Sequence, residues 1–255
     1  VAIIHFLINV LIVAVELALA AGAGWLAWQM PLVFAAATAI LAALIGLRLE
    51  TRRLAFEMPF YFERSSGLGR FLRLMVGSGQ ATLKAVLAGL VALMTFSGTD
   101  PMRLQVVAAI FVLAVLIGST LLRRITISFG AKPAHWGFFR MAVPLGLVFS
   151  AALSFFPPPS SLDVVRRVVV DLPGRPTIAQ AGEALFALRL WIDDLIVRLL
   201  GMYIGPEWAK VVGVIVGSNM LAGFVIAIYA VMLSEIVRHL EEAHWRLRGY
   251  RRVRG

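Results

Sequence analysis

The chain has 255 residues, 60% of them hydrophobic and 15% charged, with no cysteine and a formal net charge of +10. Soluble domains run nearer about 45–50% apolar and about 25% charged, so a fold of this length in water would leave too much apolar surface wet, and lipid is the solvent that fits. The absence of cysteine excludes disulfides, thiolate metal sites and iron–sulfur clusters, and the sequence names no cofactor.

A bilayer core needs roughly 20 apolar residues per helix, and six stretches qualify. The first, residues 3–28, carries Trp25 and Trp28 at interfacial depth. It has no basic run before it and no small-residue cleavage site, so it reads as a retained helix. The second runs over 31–47, starting at Pro31, the third over 76–97 and the fourth over 104–122. The fifth, 136–156, stops at Pro157, Pro158 and Pro159, and the sixth runs over 209–233. The fold class expected is all-α, a polytopic transmembrane bundle of six spans forming one integral membrane domain, 1–255.

Two segments do not span. Residues 48–75 mix arginines, among them Arg52 and Arg53, with Phe56, Phe60, Tyr61 and Phe62, broken at Pro59 and Gly67. That pattern suits an interfacial helix dipping aromatics into anionic lipid, or a docking helix for a cytoplasmic partner. Residues 157–208 open with an extended piece, Val164 to Leu172, followed by a capping-box pattern, Thr177 with Gln180. The spacing then predicts an amphipathic helix over 177–200 lying on the outer face. Leu185, Leu188, Ile192, Leu195, Ile196 and Leu199 share one side of it, and Glu183, Asp193, Asp194 and Arg198 share the other.

Charge sets the orientation. The segments after the second, fourth and sixth spans hold six, four and six basic residues, sixteen of the chain's 24, against six acids. The opposite side is close to neutral. Basic loops stay in the cytoplasm, so both ends are expected inside a bacterial-type cytoplasmic (inner) membrane. The positive charge then serves anionic headgroups rather than nucleic acid.

Motifs of catalysis fail. Gly77-Ser78-Gly79-Gln80 runs on to Lys84 without the Gly-Lys-Ser/Thr ending of a phosphate loop. His239 and His244 are five residues apart and point away from each other on a helix, so they suit no zinc site. Glu241-Glu242-Ala243-His244-Trp245-Arg246 fits EExxxR and so resembles the first motif of the membrane-bound CPBP (CAAX-type) protease family. That family places the motif in a membrane helix with histidine motifs downstream, whereas here it covers six residues and nine largely basic and polar ones follow it. An enzyme is therefore not the expected reading.

What remains is polarity inside apolar spans, where a charge at mid-bilayer costs at least about 2.5–3.5 kcal/mol on insertion scales. His5, Asn9 and Glu16 share one face of the first span, Gln80, Lys84 and Thr95 one face of the third, and Ser218 and Asn219 lie in the sixth. These groups are expected to meet inside the bundle, with Glu16 and Lys84 pairing at its centre, as an interhelical lock or a substrate, ion or proton pathway. Ala81, Ala85 and Gly89, and Gly213 with Gly217, are spaced for close helix packing.

The layout of six spans, ends inside and a helical excursion before the last span resembles that of ABC-2-type exporter permeases, although no amphipathic helix precedes the first span. The leading expectation is a transport permease or membrane subunit of a transporter. The alternative is a non-catalytic subunit of a larger membrane complex, with other membrane or cytoplasmic subunits as partners.

Overall fold

The computed structural model describes residues 2–61, 67–97, 101–130, 140–156 and 177–247. Every regular element among them is helical: α1 Ala2–Gln29, α2 Pro31–Tyr61, α3 Gly67–Phe96, α4 Pro101–Phe129, α5 Ala142–Ser154, α6 Ile178–Ile204, α7 Pro206–Val216 and α8 Ala222–Leu247, with a 3-10 turn Ser218–Leu221 before α8. Five segments are long and apolar enough to cross a membrane: Leu7–Gln29, Pro31–Glu50, Met75–Phe96, Pro101–Phe129 and Asn219–Ala243. The fifth expected crossing, 136–156, is represented by α5, an apolar helix of 13 residues. This is a helical membrane protein.

Two antiparallel pairs build the bundle. In α1 and α4, Gly24 lies against Val112 and the Ala108 carbonyl while Glu16 reaches Ser119 and Arg123. In α2 and α3, Gly46 lies against Ala81, and a Cβ on Gly89 would come 3.1 Å from Ala39 Cβ. Ala42, Ala85, Ala88 and Ala92 are buried along the same seam. With no large side chain between them the two backbones approach closely, and dispersion replaces the hydrophobic drive that lipid cannot supply. The small-residue spacing of α3 thus serves packing, as its sequence suggests.

α8 is the post of the bundle. Val225, Ile226, Ala227, Ile228, Ala230 and Val231 are each at most 1% exposed, so this stretch of the helix is apolar all round because it is enclosed all round. Gly118 admits Leu145 and Ala230, and Gly146 and Gly223 let α5 and the start of α8 touch backbone to backbone. Phe34, Phe96, Phe111 and Tyr229 join α2, α3, α4 and α8 at one end, called here the Phe34 end. Phe34 stacks on Tyr229 at 5.3 Å and meets Phe96 edge-on at 4.9 Å.

Several boundaries differ from the sequence reading, two of them in kind. The last span is not one helix over 209–233. It is interrupted at Gly217, whose backbone is extended (φ −64°, ψ 170°), and α8 begins only at Ala222. A Cβ on Gly217 would meet the Gly213 carbonyl and, at 3.1 Å, Asp193 Oδ1, so helix α7 ends against another helix rather than in lipid. Second, residues 48–61 are not a separate helix: α2 runs unbroken through Pro59 to Tyr61. Its eleven residues past Glu50 extend it by about 16 Å at 1.5 Å per residue. Val164 to Leu172 lie outside the described residues.

Candidate functional site

Glu16 is buried, 4% exposed, on the α1 face that packs on α4. Ser119 Oγ donates to its Oε1 at 2.7 Å, and Arg123 Nη2 donates to its Oε2 at 2.8 Å. The sequence reading closes α4 at Leu122 and leaves Arg123 in a loop. The helix instead continues to Phe129, which places Arg123 one turn beyond Ser119 on the same side.

Lys84 pairs elsewhere. Its ammonium donates to Oε1 of Glu50, a residue 1% exposed at the end of the α2 span. The expected Glu16–Lys84 pair is therefore not formed. Each group sits on the face that its helix turns to its own antiparallel partner, α1 to α4 and α3 to α2, and each finds its counter-charge there.

Of the expected polar stripe, Asn9, Gln80 and Thr95 join neither pair. Asn9 is exposed, as is Ile127, 82%, which stands opposite it by the register of the α1–α4 pair. Gln80 is also exposed, standing one residue, about 100°, off the seam formed by Ala81 and Ala85. Thr95 donates to the Val91 carbonyl of its own helix at 2.7 Å. The side chain of His5 lies outside the described residues. So do those of Arg52, Arg53, Phe56, Phe60 and Tyr61, whose backbone belongs to α2, and all of Phe62.

Asn219 is the candidate that gains most. It lies in the 3-10 turn, and its Oδ1 accepts from Arg189 Nη2. Arg189 is 4% exposed on α6 and donates through Nη1 to the Met94 carbonyl at 2.9 Å, in the last turn of α3. Carbonyls there lack an intrahelical donor, so a guanidinium caps them well. Around this group stand Asp193, against Gly217, and Arg103, whose guanidinium lies 5.3 Å above the Phe186 ring. A cation on a ring face is attracted by the ring quadrupole. One planar side chain thus ties the end of α3 to the irregular backbone between α7 and α8.

Locally, α6 starts as its sequence predicts. Thr177 N donates to Gln180 Oε1 at 2.8 Å, and Gln180 N donates to Thr177 Oγ1 at 3.3 Å. The Asp194–Arg198 pair forms at 2.9 Å. Gly205 adopts φ +81°, a backbone only glycine takes without strain, and turns the chain directly into α7 with Pro206 at its first position. Gly213 then lies against Val197, and Gly201 against Ala209, closing a helical hairpin.

Sequence reasoning missed Arg189, Glu50, Arg123, Ser119 and the buried hydrogen bond between Thr38 and Tyr229, 3.1 Å. A signal existed for Arg189, since Asp193 follows it by four residues. None existed for the interhelical partners. Among the described residues no three His, Asp or Glu side chains are grouped to hold a metal ion. Comparison with models of known protein families, with curated proteins and with solved structures finds no match to this chain.

Proposed function

We propose that this chain is a transport permease or the membrane subunit of a transporter. The observation that carries the reading is the interrupted last helix, with buried Arg189 and Asn219 at the interruption. A membrane bundle keeps irregular backbone and a charge at one point only where protein or a water-filled cavity surrounds them, and discontinuous helices are the usual means of building a transport site. The two antiparallel pairs add to this. Each ion pair lies within a packed pair, α1 with α4 or α2 with α3, so either pair can move against α8 without breaking it.

In this reading the chain crosses a bacterial-type inner membrane six times with both ends inside. The Glu50 end then faces the cytoplasm and the Arg189 end faces out, as the distribution of basic residues requires. The arginine-rich end of α2 contacts anionic headgroups or a cytoplasmic subunit.

A second reading, a non-catalytic subunit of a larger membrane complex, is favoured by Glu16, whose two oxygens are both engaged by α4. Such a group locks helices without transporting anything. Purification in mild detergent with mass spectrometry of the co-eluting chains separates the two. A stoichiometric ATPase supports the permease, and a fixed set of structural or redox subunits without one overturns it.

A further inference from the structure

α6 is amphipathic, but its polarity is reversed relative to a soluble helix. At 100° per residue, Leu188, Trp191, Ile192, Leu195 and Leu199 fall within about 60° of one direction. This side faces away from the protein, with Leu188 and Trp191 each 48% and Leu199 50% exposed. The opposite side turns to the bundle, and it carries Phe186 and Leu190 together with the charged Arg189 and the Asp193 that packs on Gly217. The hairpin turn continues the apolar side, with Met202 79%, Tyr203 86% and Trp208 67% exposed.

We propose that the hairpin Ile178–Val216 is a lipid-inserting element, with its outward stripe in the acyl region of the leaflet and its turn at the headgroup boundary. Three observations commit the occupant to lipid. The five stripe residues are all apolar, with Arg198, paired to Asp194, at the stripe's edge, and they resemble the outward faces of α1 to α4, where Leu11, Leu44, Leu83 and Leu113 are similarly exposed. Tyr203 and Trp208 are the side chains enriched where one end of a group is apolar and the other wet. Glu207 and Lys210 are exposed just past the turn, which keeps the turn out of the hydrocarbon centre and at the boundary. Arg189 and Asp193 are turned to the bundle, and the Asp194–Arg198 pair at the edge of the stripe, 35% and 65% exposed, can carry its charge to the headgroups on the long arginine stem. The inference holds whether the chain transports or only supports a complex.

The absence of cysteine allows a direct test. Single variants Leu188→Cys, Leu199→Cys and Tyr203→Cys, with Leu11→Cys as a lipid-facing reference, are labelled with a bimane fluorophore. The intact chain is placed in nanodiscs of phosphatidylcholine and phosphatidylglycerol. Lipids bearing a nitroxide on the acyl chain should quench the label at Leu188 and Leu199 as far as at Leu11. At Tyr203 quenching should be stronger with the nitroxide near the headgroup. Iodide in the buffer should quench none of the first two. Quenching by iodide at Leu188 and Leu199 overturns the proposal in favour of exposure to water. Shielding from both quenchers overturns it in favour of a protein partner. Three positions guard against loss of any one variant to misfolding.

Discussion

Removing Arg123 should cost more than removing the carboxylate it pairs with. In Arg123→Met, Glu16 stays 4% exposed with only the Ser119 hydroxyl beside it. Breaking a buried pair from one side costs about 3–5 kcal/mol. Glu16→Gln leaves the opposite orphan, an arginine whose side chain is already 24% exposed and can turn outward. One charge-assisted hydrogen bond weakens to a neutral one, a loss of about 1–2 kcal/mol. The double variant should fall short of the sum by about 2 kcal/mol, roughly 30-fold in the unfolding equilibrium. Denaturation in mixed micelles with increasing dodecyl sulfate measures all four species, and a parallel cycle with Glu16→Gln and Lys84→Met should be additive. Additivity in the first cycle, or coupling in the second, would refute the pairing described here.

The other expectations follow from the same geometry. Gly146→Ala should destabilise the protein by about 1–3 kcal/mol or abolish folding, because its Cβ would overlap the Met220 carbonyl, whereas Gly22→Ala, with nothing within 4 Å, should be neutral or slightly stabilising; thermal unfolding in detergent compares them. Thr38→Val should cost about 1–3 kcal/mol by stranding the Tyr229 hydroxyl, more than Tyr229→Phe, which leaves behind a threonine already bonded to the Phe34 carbonyl. Arg189→Lys should not restore what Arg189→Met loses, since one ammonium cannot reach both the Met94 carbonyl and Asn219 in the planar fork geometry; limited proteolysis near Gly205 should speed up equally in both variants. Topology reporters fused at Ser160 and after Gly255 should land on opposite sides of the membrane, and finding both on one side would sink the six-span orientation.

The sequence by itself determined the solvent and the elements. Runs such as Ile3 to Trp28 can only be buried in lipid, and a helix there satisfies its backbone within its own segment, so helix and location follow from local composition alone. The capping box at Thr177 and the Asp194–Arg198 pair were legible for the same reason, being contacts within four residues. Packing against neighbours was half legible: Ala81, Ala85 and Gly89 announce a close seam without saying which helix fills it. The tertiary structure alone decided the pairings. Glu16 and Lys84 are each correctly marked as needing a counter-charge, yet Arg123 and Glu50 answer them, because helix order in sequence does not say which faces meet. It also decided the break at Gly217. Residues 209–233 read as one apolar helix, and nothing local forbids it. The interruption is held from outside the segment, by Asp193 against the glycine and by Arg189 on Asn219. Hydrogen bonds that an unwound turn gives up must be replaced, and only the fold determines which side chain arrives to replace them.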